Sequence, residues 1–312
     1  MRRIFLFLLL AASSASAQDF LGYSHSNYAG IVGAAYNPAS IADHRYSMDI
    51  LLCGASIELG NNYAGFRRST FMSGSMTSAD LVLRDRPFRK SVFFRNEILL
   101  PGIMFSNEKM GWGVDLRVRT YMNVDGVEPN LAHLLVYGLD DPSQYNIEQH
   151  NRHVGLNFMS WAELAGTYAK VTFKGAEHFV SAGIRPKFLL GLGSAYAYVN
   201  DLDYVYHNDS TLTIFEAQAK FGHSSNFQFT DSYAMSYKVG FNPGVGLDAG
   251  IVYENRPDIL QNDKTSRKPK AWPGFRERPE YLYRVGISLT DLGFIYFNHG
   301  ELSDEYAVNA SL

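Results

Sequence analysis

The sequence predicts an all-β protein and, more narrowly, an antiparallel transmembrane β-barrel. Three observations favour this fold class: an N-terminal secretory signal, a mature chain without a segment suited to a membrane helix, and long stretches in which apolar and polar residues alternate. The chain has 312 residues, of which 46% are hydrophobic and 19% charged, with a formal net charge of −3. This balance excludes a disordered acidic tail and a basic nucleic-acid-binding protein.

The first 17 residues have the pattern of a signal peptide. Residues 1–3 are a short basic start, residues 4–12 are apolar, and residues 15–17 are the small residues Ala-Ser-Ala. We expect cleavage after Ala17. Residues 20–42 contain no charged residue, but Gly, Ser, Asn and Pro recur there and would break or desolvate a membrane helix.

Alternation with a period of two marks the strands, which are longer than those of most globular sheets. The expected strands are Tyr46–Leu59, Glu97–Ser106, Gly111–Met122, His153–Thr172, His178–Val199, Tyr204–Phe221 with a turn at Asn208-Asp209, Val239–Glu254, Glu280–Thr290 and Phe294–Asn298. Tight turns are expected at Asn107–Met110, Phe173–Glu177 and Asp291–Gly293, and longer connections at Gly60–Asn96, Asn123–Arg152 and Asn255–Pro279. The segments can be threaded up and down with the long connections and the Asn208-Asp209 turn at the end opposite the tight turns, and with residues 222–231 as a turn on the side of the tight turns. This threading gives nine strands. Leu131–Leu139 has the spacing of a short helix.

Charged residues on the polar face of these strands share one parity. In lipid each would be costly, whereas inside a barrel they can pair with one another or with a plug. The lumen-facing candidates are Asp115, Arg117, Arg119, Glu163, Arg185, Lys187, Asp248, Glu254 and Arg284. Structural pairing is one interpretation. The other is that the five basic members steer an anionic solute or a carboxylate head group.

Other motifs do not indicate an enzyme. Gly244–Gly250 superficially resembles a dinucleotide fingerprint, but its glycines lie inside an alternating stretch and not at a strand-to-helix turn. Glu148, His150 and His153 could ligate a divalent metal, but a solvated loop before a strand is the favoured interpretation. Cys53, the only cysteine, is expected to be a small buried apolar residue. We expect no catalytic residue, cofactor or bound metal.

Four stretches together carry a resemblance to a known family. They are residues 35–43 (AYNPASIAD), 61–63 (NNY), 246–254 (GLDAGIVYE) and 283–293 (YRVGISLTDLG). In these stretches the chain resembles an outer-membrane β-barrel family of unknown function in Bacteroidota, similar in shape to the fatty-acid transporter FadL and the type IX secretion barrel PorV.

The resemblance implies a barrel of about 14 antiparallel strands with the N-terminal segment tucked inside as a plug. It divides the chain into a signal peptide (1–17), a plug (18–43) and a barrel domain (44–312). Single-chain bacterial barrels normally have an even strand number. Because nine is odd, we expect the barrel domain to be C-terminally incomplete.

These observations lead to two expectations about function. The first is a non-enzymatic outer-membrane protein that handles a small hydrophobic or anionic ligand, or that serves in a cell-surface or type IX secretion complex. The second is a scaffold or adhesion barrel that transports nothing and binds partners through extracellular loops. Outer-membrane lipids are the expected surroundings, and the basic segment Asn255–Glu280 is a candidate contact for lipopolysaccharide or a secretion-complex protein. A lateral opening at a kinked strand would favour transport.

Overall fold

The computed structural model describes residues 21–66, 81–83, 88–139, 142–229, 235–257, 281–301 and 303–309. Over these residues the protein is all-β, and every strand pair is antiparallel. No helix among them is long and apolar enough to cross a membrane. The helices are α1 (Leu21–Ser24), α2 (Gly30–Gly33) and α3 (Pro129–Tyr137), with 3-10 turns at Pro38–Ile41 and Pro142–Gln144. The strands are β1 (Met48–Leu51), β2 (Gly54–Asn61), β3 (Ala64–Phe66), β4 (Leu81–Leu83), β5 (Lys90–Ser106), β6 (Met110–Val127), β7 (Gln149–Lys174), β8 (His178–Tyr206), β9 (Leu212–His223), β10 (Phe227–Phe229), β11 (Met235–Tyr237), β12 (Pro243–Asn255), β13 (Tyr283–Ile295) and β14 (Asp304–Asn309).

The main sheet is a meander of long strands. β1 and β2 lie end to end against β5, which is followed in order by β6, β7 and β8. Two strands share the other edge of β8. β12 pairs with residues 178–190 and β9 with residues 195–206, and both run antiparallel to β8. β13 pairs with β12, and β14 pairs with β9. β9 and β12 therefore form one interrupted strand line beside β8, and β14 and β13 form a second one beside it. Both lines are interrupted at the same level of the sheet, where residues 224–242 connect β9 to β12.

Several sequence predictions about local structure are confirmed. The tight turns at Asn107–Met110 and Phe173–Glu177 connect β5 to β6 and β7 to β8. The turn at Asn208-Asp209 connects β8 to β9. The short helix predicted at Leu131–Leu139 is α3, which begins two residues earlier because Pro129 is suited to the first helical turn.

The predicted turn at Asp291–Gly293 is wrong. Residues 283–295 form one strand, and its register against β12 shifts between Leu247 and Ala249, which is a β-bulge. Asp291 lies in this bulge with a φ of +60°, so its turn-like chemistry marks the bulge and not a chain reversal. The described residues consequently do not form the nine strands of the expected threading.

Two further expectations are corrected. The strand predicted to begin at Glu97 is β5, which begins at Lys90. Arg95 and Asn96 interrupt the apolar pattern of the sequence, but they still pair with β2. Cys53 is exposed and not buried, because it falls in the break between β1 and β2.

Because β9 and β12 run in the same direction, the basic segment Asn255–Glu280 lies at a different end of the sheet from the one expected. Asn255 pairs with both His178 and Tyr283, and the amide of Arg256 donates to the carbonyl of Glu177 in a tight turn. Both flanks of the segment therefore lie at the end of the sheet that carries the tight turns. The expected placement at the opposite end, with the other long connections, is wrong. Residues 258–280 themselves lie outside the described residues.

The two faces of the sheet differ in chemistry. On β6, Trp112, Val114 and Leu116 are exposed on one side, whereas Asp115 and Arg117 are buried on the other. We call the face of Trp112 the outer face and the face of Asp115 the inner face. Strand pairing carries this alternation across eight strands. The exposed apolar residues of the outer face are Met48, Ile50, Ile57, Leu59, Ile98, Trp112, Val114, Leu116, Leu164, Tyr168, Ile184, Phe188, Val245, Leu247, Ile251, Val285, Ile287, Leu289, Leu292 and Phe294.

The sheet curls toward its inner face. Arg119 on β6 donates to the carboxylate of Asp291 on β13, although β7, β8 and β12 lie between these strands. In a flat sheet, four interstrand spacings would separate the two backbones by about 19 Å, more than the two side chains can span. Among the described residues the two outer edges of the curled sheet do not pair with each other.

Candidate functional site

The N-terminal residues 21–47 pack against the inner face near the tight turns. Their buried apolar side chains form one cluster with two residues of the sheet. Its members are Ile31, Ala34, Ile41, Ala42, Met104 and Ala169. Polar anchors flank this cluster: the Asn37 amide donates to the carbonyls of Ile251 and Ile287 at 3.2 and 3.3 Å, and Asp49 accepts from the amide of Ile31 at 2.9 Å. The segment is thus hydrogen-bonded to β1 on one side and to β12 and β13 on the other.

Glycines on the inner face make room for this segment. A Cβ atom at Gly183 of β8 would lie 2.5 Å from the carbonyl carbon of Pro38 and 2.6 Å from the nitrogen of Ala39. Gly111 meets the backbone of Ile41 in the same way. The closest atoms at both glycines belong to backbone, so a side chain there could not be accommodated by a rotamer change. Close approach of the segment, and not nucleotide binding, accounts for Gly250, where a Cβ would collide with Asn37.

All nine charged residues singled out in the sequence lie on the inner face. Seven of them are buried, and Arg119 and Arg284 are partly exposed. Arg185 is the centre of the larger group: its guanidinium lies 2.6 Å from Asp115, 3.0 Å from Glu163 and 3.5 Å from Asp248. These pairs join one strand to the next across β6, β7, β8 and β12.

The group continues from Arg185 in two directions. On one side Arg117 bonds Asp115 at 2.8 Å and Glu97 at 2.9 Å. On the other side Lys187 lies 2.7 Å from both Asp248 and Asp291. We call this set, together with Arg185, Glu163 and Arg119, the ion network.

A second group lies closer to the tight turns. Glu254 bonds Arg256 at 2.5 Å and Arg284 at 3.3 Å, and Arg256 also bonds Asp43 of the N-terminal segment at 3.0 Å. Arg256 stacks over the ring of Phe179. This group therefore ties the end of the N-terminal segment to β12 and β13.

Sequence reasoning missed four members of these groups, Asp43, Glu97, Arg256 and Asp291. Asp291 was assigned to a turn and Arg256 to a loop, and both lie at points where strand boundaries were wrong. Glu97 was predicted to begin a strand and was not assigned to a face. Its position two residues before Leu99 places both side chains on the inner face. Asp43 belongs to the segment expected to be a plug, and no strand parity applies to it.

The inner face opens into a cavity of about 500 Å³ on the side of the ion network away from the tight turns. One end of this cavity is charged, with Arg119, Lys187, Glu163 and Asp291. The remainder is largely apolar and aromatic, and includes Tyr121, Met159, Trp161, Leu189, Ile295 and Phe297. A second cavity of about 660 Å³ shares Tyr121, Met159 and Ser194 with the first, so the two are neighbours along β7 and β8.

Arg119 is shared between the ionic and the aromatic parts of the cavity. Its guanidinium lies 5.1 Å from the ring centre of Trp161 and 5.5 Å from that of Tyr121, and it donates to the Tyr121 hydroxyl at 2.8 Å. The two rings stack at 5.4 Å. These contacts hold the guanidinium at the boundary between the two parts.

The cavity borders the interruption between β9 and β12. Residues 191–194 of β8 fall between the two ladders, next to a bulge against β7. The Asn242 amide donates to the Gly191 carbonyl at 3.1 Å and to Asn226 at 2.6 Å, and accepts from the amide of Asn298 at 3.1 Å. Asn226 and Asn242 are buried. The strands are therefore connected here by these side-chain amides and by two backbone hydrogen bonds, from Gly191 to Asn242 and from Ser224 to Ser194, in place of a regular ladder.

The candidate metal ligands occupy a different arrangement. His150 lies 3.0 Å from the carboxylate of Asp203, and Arg152 pairs with Asp201 and Asp203. Within the part of the chain that the structure describes, no group of three or more His, Cys, Asp or Glu side chains could hold a metal ion. Arg152 thus forms ion pairs from β7 to β8, and His150 lies beside the carboxylate of Asp203.

A model of a family of unknown function, DUF5723, matches residues 38–311, which include the whole ion network and both cavities. The chain belongs to the DUF5723 family. Comparison of this DUF5723 protein with curated proteins and with solved structures gave no match. These comparisons thus establish the family, and they show no link to FadL or PorV.

Proposed function

We propose that this DUF5723 protein is an outer-membrane β-barrel that takes up a small amphipathic ligand and performs no covalent chemistry. The outer face carries the membrane part of the proposal, because exposed apolar residues occupy eight neighbouring strands while charged residues are buried behind them. Soluble monomers rarely expose contiguous apolar patches of more than a few hundred Å². Lipid is the surrounding in which such a face is stable.

Aromatic residues of the outer face support the same proposal. Near the tight turns, Trp112 stacks on Phe105 at 4.7 Å, and Tyr253 lies 6.0 Å from Tyr283. Aromatic girdles of this kind mark the membrane interfaces of outer-membrane barrels, and short turns are typical of the periplasmic side. We therefore assign the tight turns to the periplasm. Closure of the curled sheet into a barrel is part of the proposal.

The cavity supports a small amphipathic ligand. Ligand pockets of about 300–1,000 Å³ are commonly apolar with a few polar groups that fix orientation. The 500 Å³ cavity has this composition, with Trp161, Leu189 and Phe297 in its apolar part and Arg119 and Lys187 at its charged end. An apolar tail would contact the first set and a polar head the second.

The interruption between β9 and β12 favours transport over a scaffold role. It lies in the wall beside the cavity, and its strands are joined by Asn226 and Asn242 and not by a continuous ladder. A ligand that leaves the cavity sideways has to break fewer backbone hydrogen bonds here than elsewhere in the wall. We propose this interruption as the route between the cavity and the membrane.

The position of the basic segment bears on its partners. Both of its flanks lie with the tight turns. If that end faces the periplasm, the segment meets a periplasmic or secretion-complex partner and not lipopolysaccharide on the cell surface. We therefore propose a periplasmic or secretion-complex protein as the partner of this segment.

The membrane assignment is tested by fractionating cells that express the full-length gene product. We expect the protein in the outer-membrane fraction, starting at Gln18, with a faster gel mobility before heating than after. A soluble periplasmic or secreted protein with unchanged mobility would contradict the barrel. Delipidated protein exposed to an outer-membrane lipid extract should then retain an amphiphile; a barrel that retains none would favour the scaffold or adhesion role.

A further inference from the structure

The charged end of the cavity contains one carboxylate that differs from its neighbours in exposure. The Asp291 side chain is 51% exposed, whereas those of Arg119 and Lys187, its two partners, are 14% and 4% exposed. Arg119 donates to its two oxygens at 2.9 and 3.1 Å, and Lys187 donates to one of them at 2.7 Å. One cavity-facing carboxylate thus occupies two largely buried cations.

A local irregularity of β13 delivers this carboxylate. Asp291 lies in the bulge against β12 with a φ of +60°, a conformation that is uncommon for residues other than glycine. Its amide donates to Asp248 at 2.7 Å, which fixes the bulge to the ion network. Such backbone outliers cluster at ligand-binding and switch regions.

The two cations have the geometry of a carboxylate or phosphate receptor. A guanidinium that donates two parallel hydrogen bonds to one carboxylate is the arrangement preferred for planar anions, and a lysine ammonium adds a point charge. The aromatic contacts of Arg119 hold its guanidinium in place without Asp291. The apolar part of the cavity begins beside it at Trp161.

We propose that Arg119 and Lys187 form the anion seat of the cavity, that Asp291 occupies this seat, and that an amphiphile with a carboxylate or phosphate head group binds by displacing it. This inference rests on the proposed function, because it specifies the ligand of the same cavity. Asp291 is the displaceable member, since the other nearby carboxylates, Glu163 and Asp248, are 2% and 0% exposed. Asp291 is the fifth acid of the ion network, which has four bases, so a ligand anion and Asp291 exclude each other.

The test is equilibrium binding of radiolabelled dodecanoate and dodecanol to the mature protein in a maltoside detergent. Asp291→Asn and Asp291→Gly both remove the competing carboxylate, and both residues tolerate a positive φ. We expect each variant to bind dodecanoate about two- to fivefold more tightly than the unaltered protein, which is the upper part of the range for loss of an exposed ion pair. Binding of dodecanol, which has the same tail and no charge, should not change.

Asp125→Asn is the matched control. It removes the same charge from the inner face of β6, at an exposed position away from Arg119 and Lys187. Equal or weaker dodecanoate binding by both Asp291 variants, with dodecanol still bound, would overturn the anion seat and leave the proposed function intact. A gain of the same size in Asp125→Asn would also overturn it, because a general charge effect would explain the result. If the unaltered protein binds neither probe, the proposed function fails together with this inference.

Discussion

Ile184 and Arg185 are consecutive residues of β8 that lie in opposite environments. Ile184 is 51% exposed on the outer face, whereas Arg185 is 0% exposed among three carboxylates on the inner face. In a water-soluble sheet the apolar residue would be covered and the charged one exposed. The contrast shows that ion pairs and the N-terminal segment fill the inner face, whereas the outer face is exposed and apolar, which the proposed membrane location would explain.

The largest expected effect comes from removing the central cation of the inner face. Arg185→Met leaves Asp115, Glu163 and Asp248 without their shared partner, and breaking a buried ion pair from one side costs about 3–5 kcal/mol. We expect the free energy of unfolding, measured by urea titration of the protein in liposomes, to fall by about that amount.

Arg152→Met is the matched control for this change. Arg152 also pairs with two carboxylates, Asp201 and Asp203, but its side chain is 43% exposed. Exposed ion pairs contribute about 0–1 kcal/mol, so this variant should unfold nearly like the unaltered protein. Equal losses in the two arginine variants would show that the inner face is not the protected environment that the structure indicates.

The next effect concerns the outer face. Leu164 lies on β7 between Leu116 and Phe188 of the flanking strands. A lysine on the lipid face of a barrel costs about 2–4 kcal/mol near the bilayer midplane, whereas a surface substitution in water costs about 0.5 kcal/mol or less. We expect Leu164→Lys to show the larger loss in the same urea titration.

Leu135→Lys controls for the lysine itself. Leu135 is exposed on α3, outside the strands of the sheet, so water can surround a lysine there. A loss for Leu164→Lys no greater than that for Leu135→Lys would place the outer face in water and contradict the membrane assignment.

The sequence predicted this contrast between faces better than it predicted the site. Alternation is a local property, so β6, β7 and β8 could be located and the parity of Asp115, Arg185 and their neighbours assigned without knowledge of the fold. The interruption of the strand line at residues 224–242 could not be predicted, because the patterns of β9 and β12 fit two strands of a hairpin equally well. Only their common pairing with β8 shows that they are halves of one line.

Asp291 illustrates why the candidate site itself was incomplete. Aspartate followed by Leu-Gly is typical of a turn, and the bulge that places Asp291 against Arg119 depends on the register between β12 and β13. Arg119 and Asp291 are 172 residues apart in the chain. Long-range pairing of this kind is set by sheet curvature, which strand patterns do not encode.

The smallest of the three effects separates the faces at glycine positions. Gly183 of β8 lies against the backbone of Pro38 and Ala39, so Gly183→Val has to displace the N-terminal segment. Overpacking of this kind costs about 1–3 kcal/mol. We expect a corresponding loss in urea stability, together with faster proteolysis within residues 21–47, because the displaced segment loses its contacts with the inner face.

Gly166→Val makes the same change on the outer face of β7, where a Cβ atom would meet nothing within 4 Å. This variant should keep the stability and the protease resistance of the unaltered protein, because the added methyl groups face outward from the sheet. Faster proteolysis in Gly183→Val alone would separate displacement of the N-terminal segment from a general intolerance of valine in these strands. Equal behaviour of the two variants would mean that the segment does not pack against Gly183 in the protein under test, and the inner face would then need another cover for Arg185 and its carboxylates.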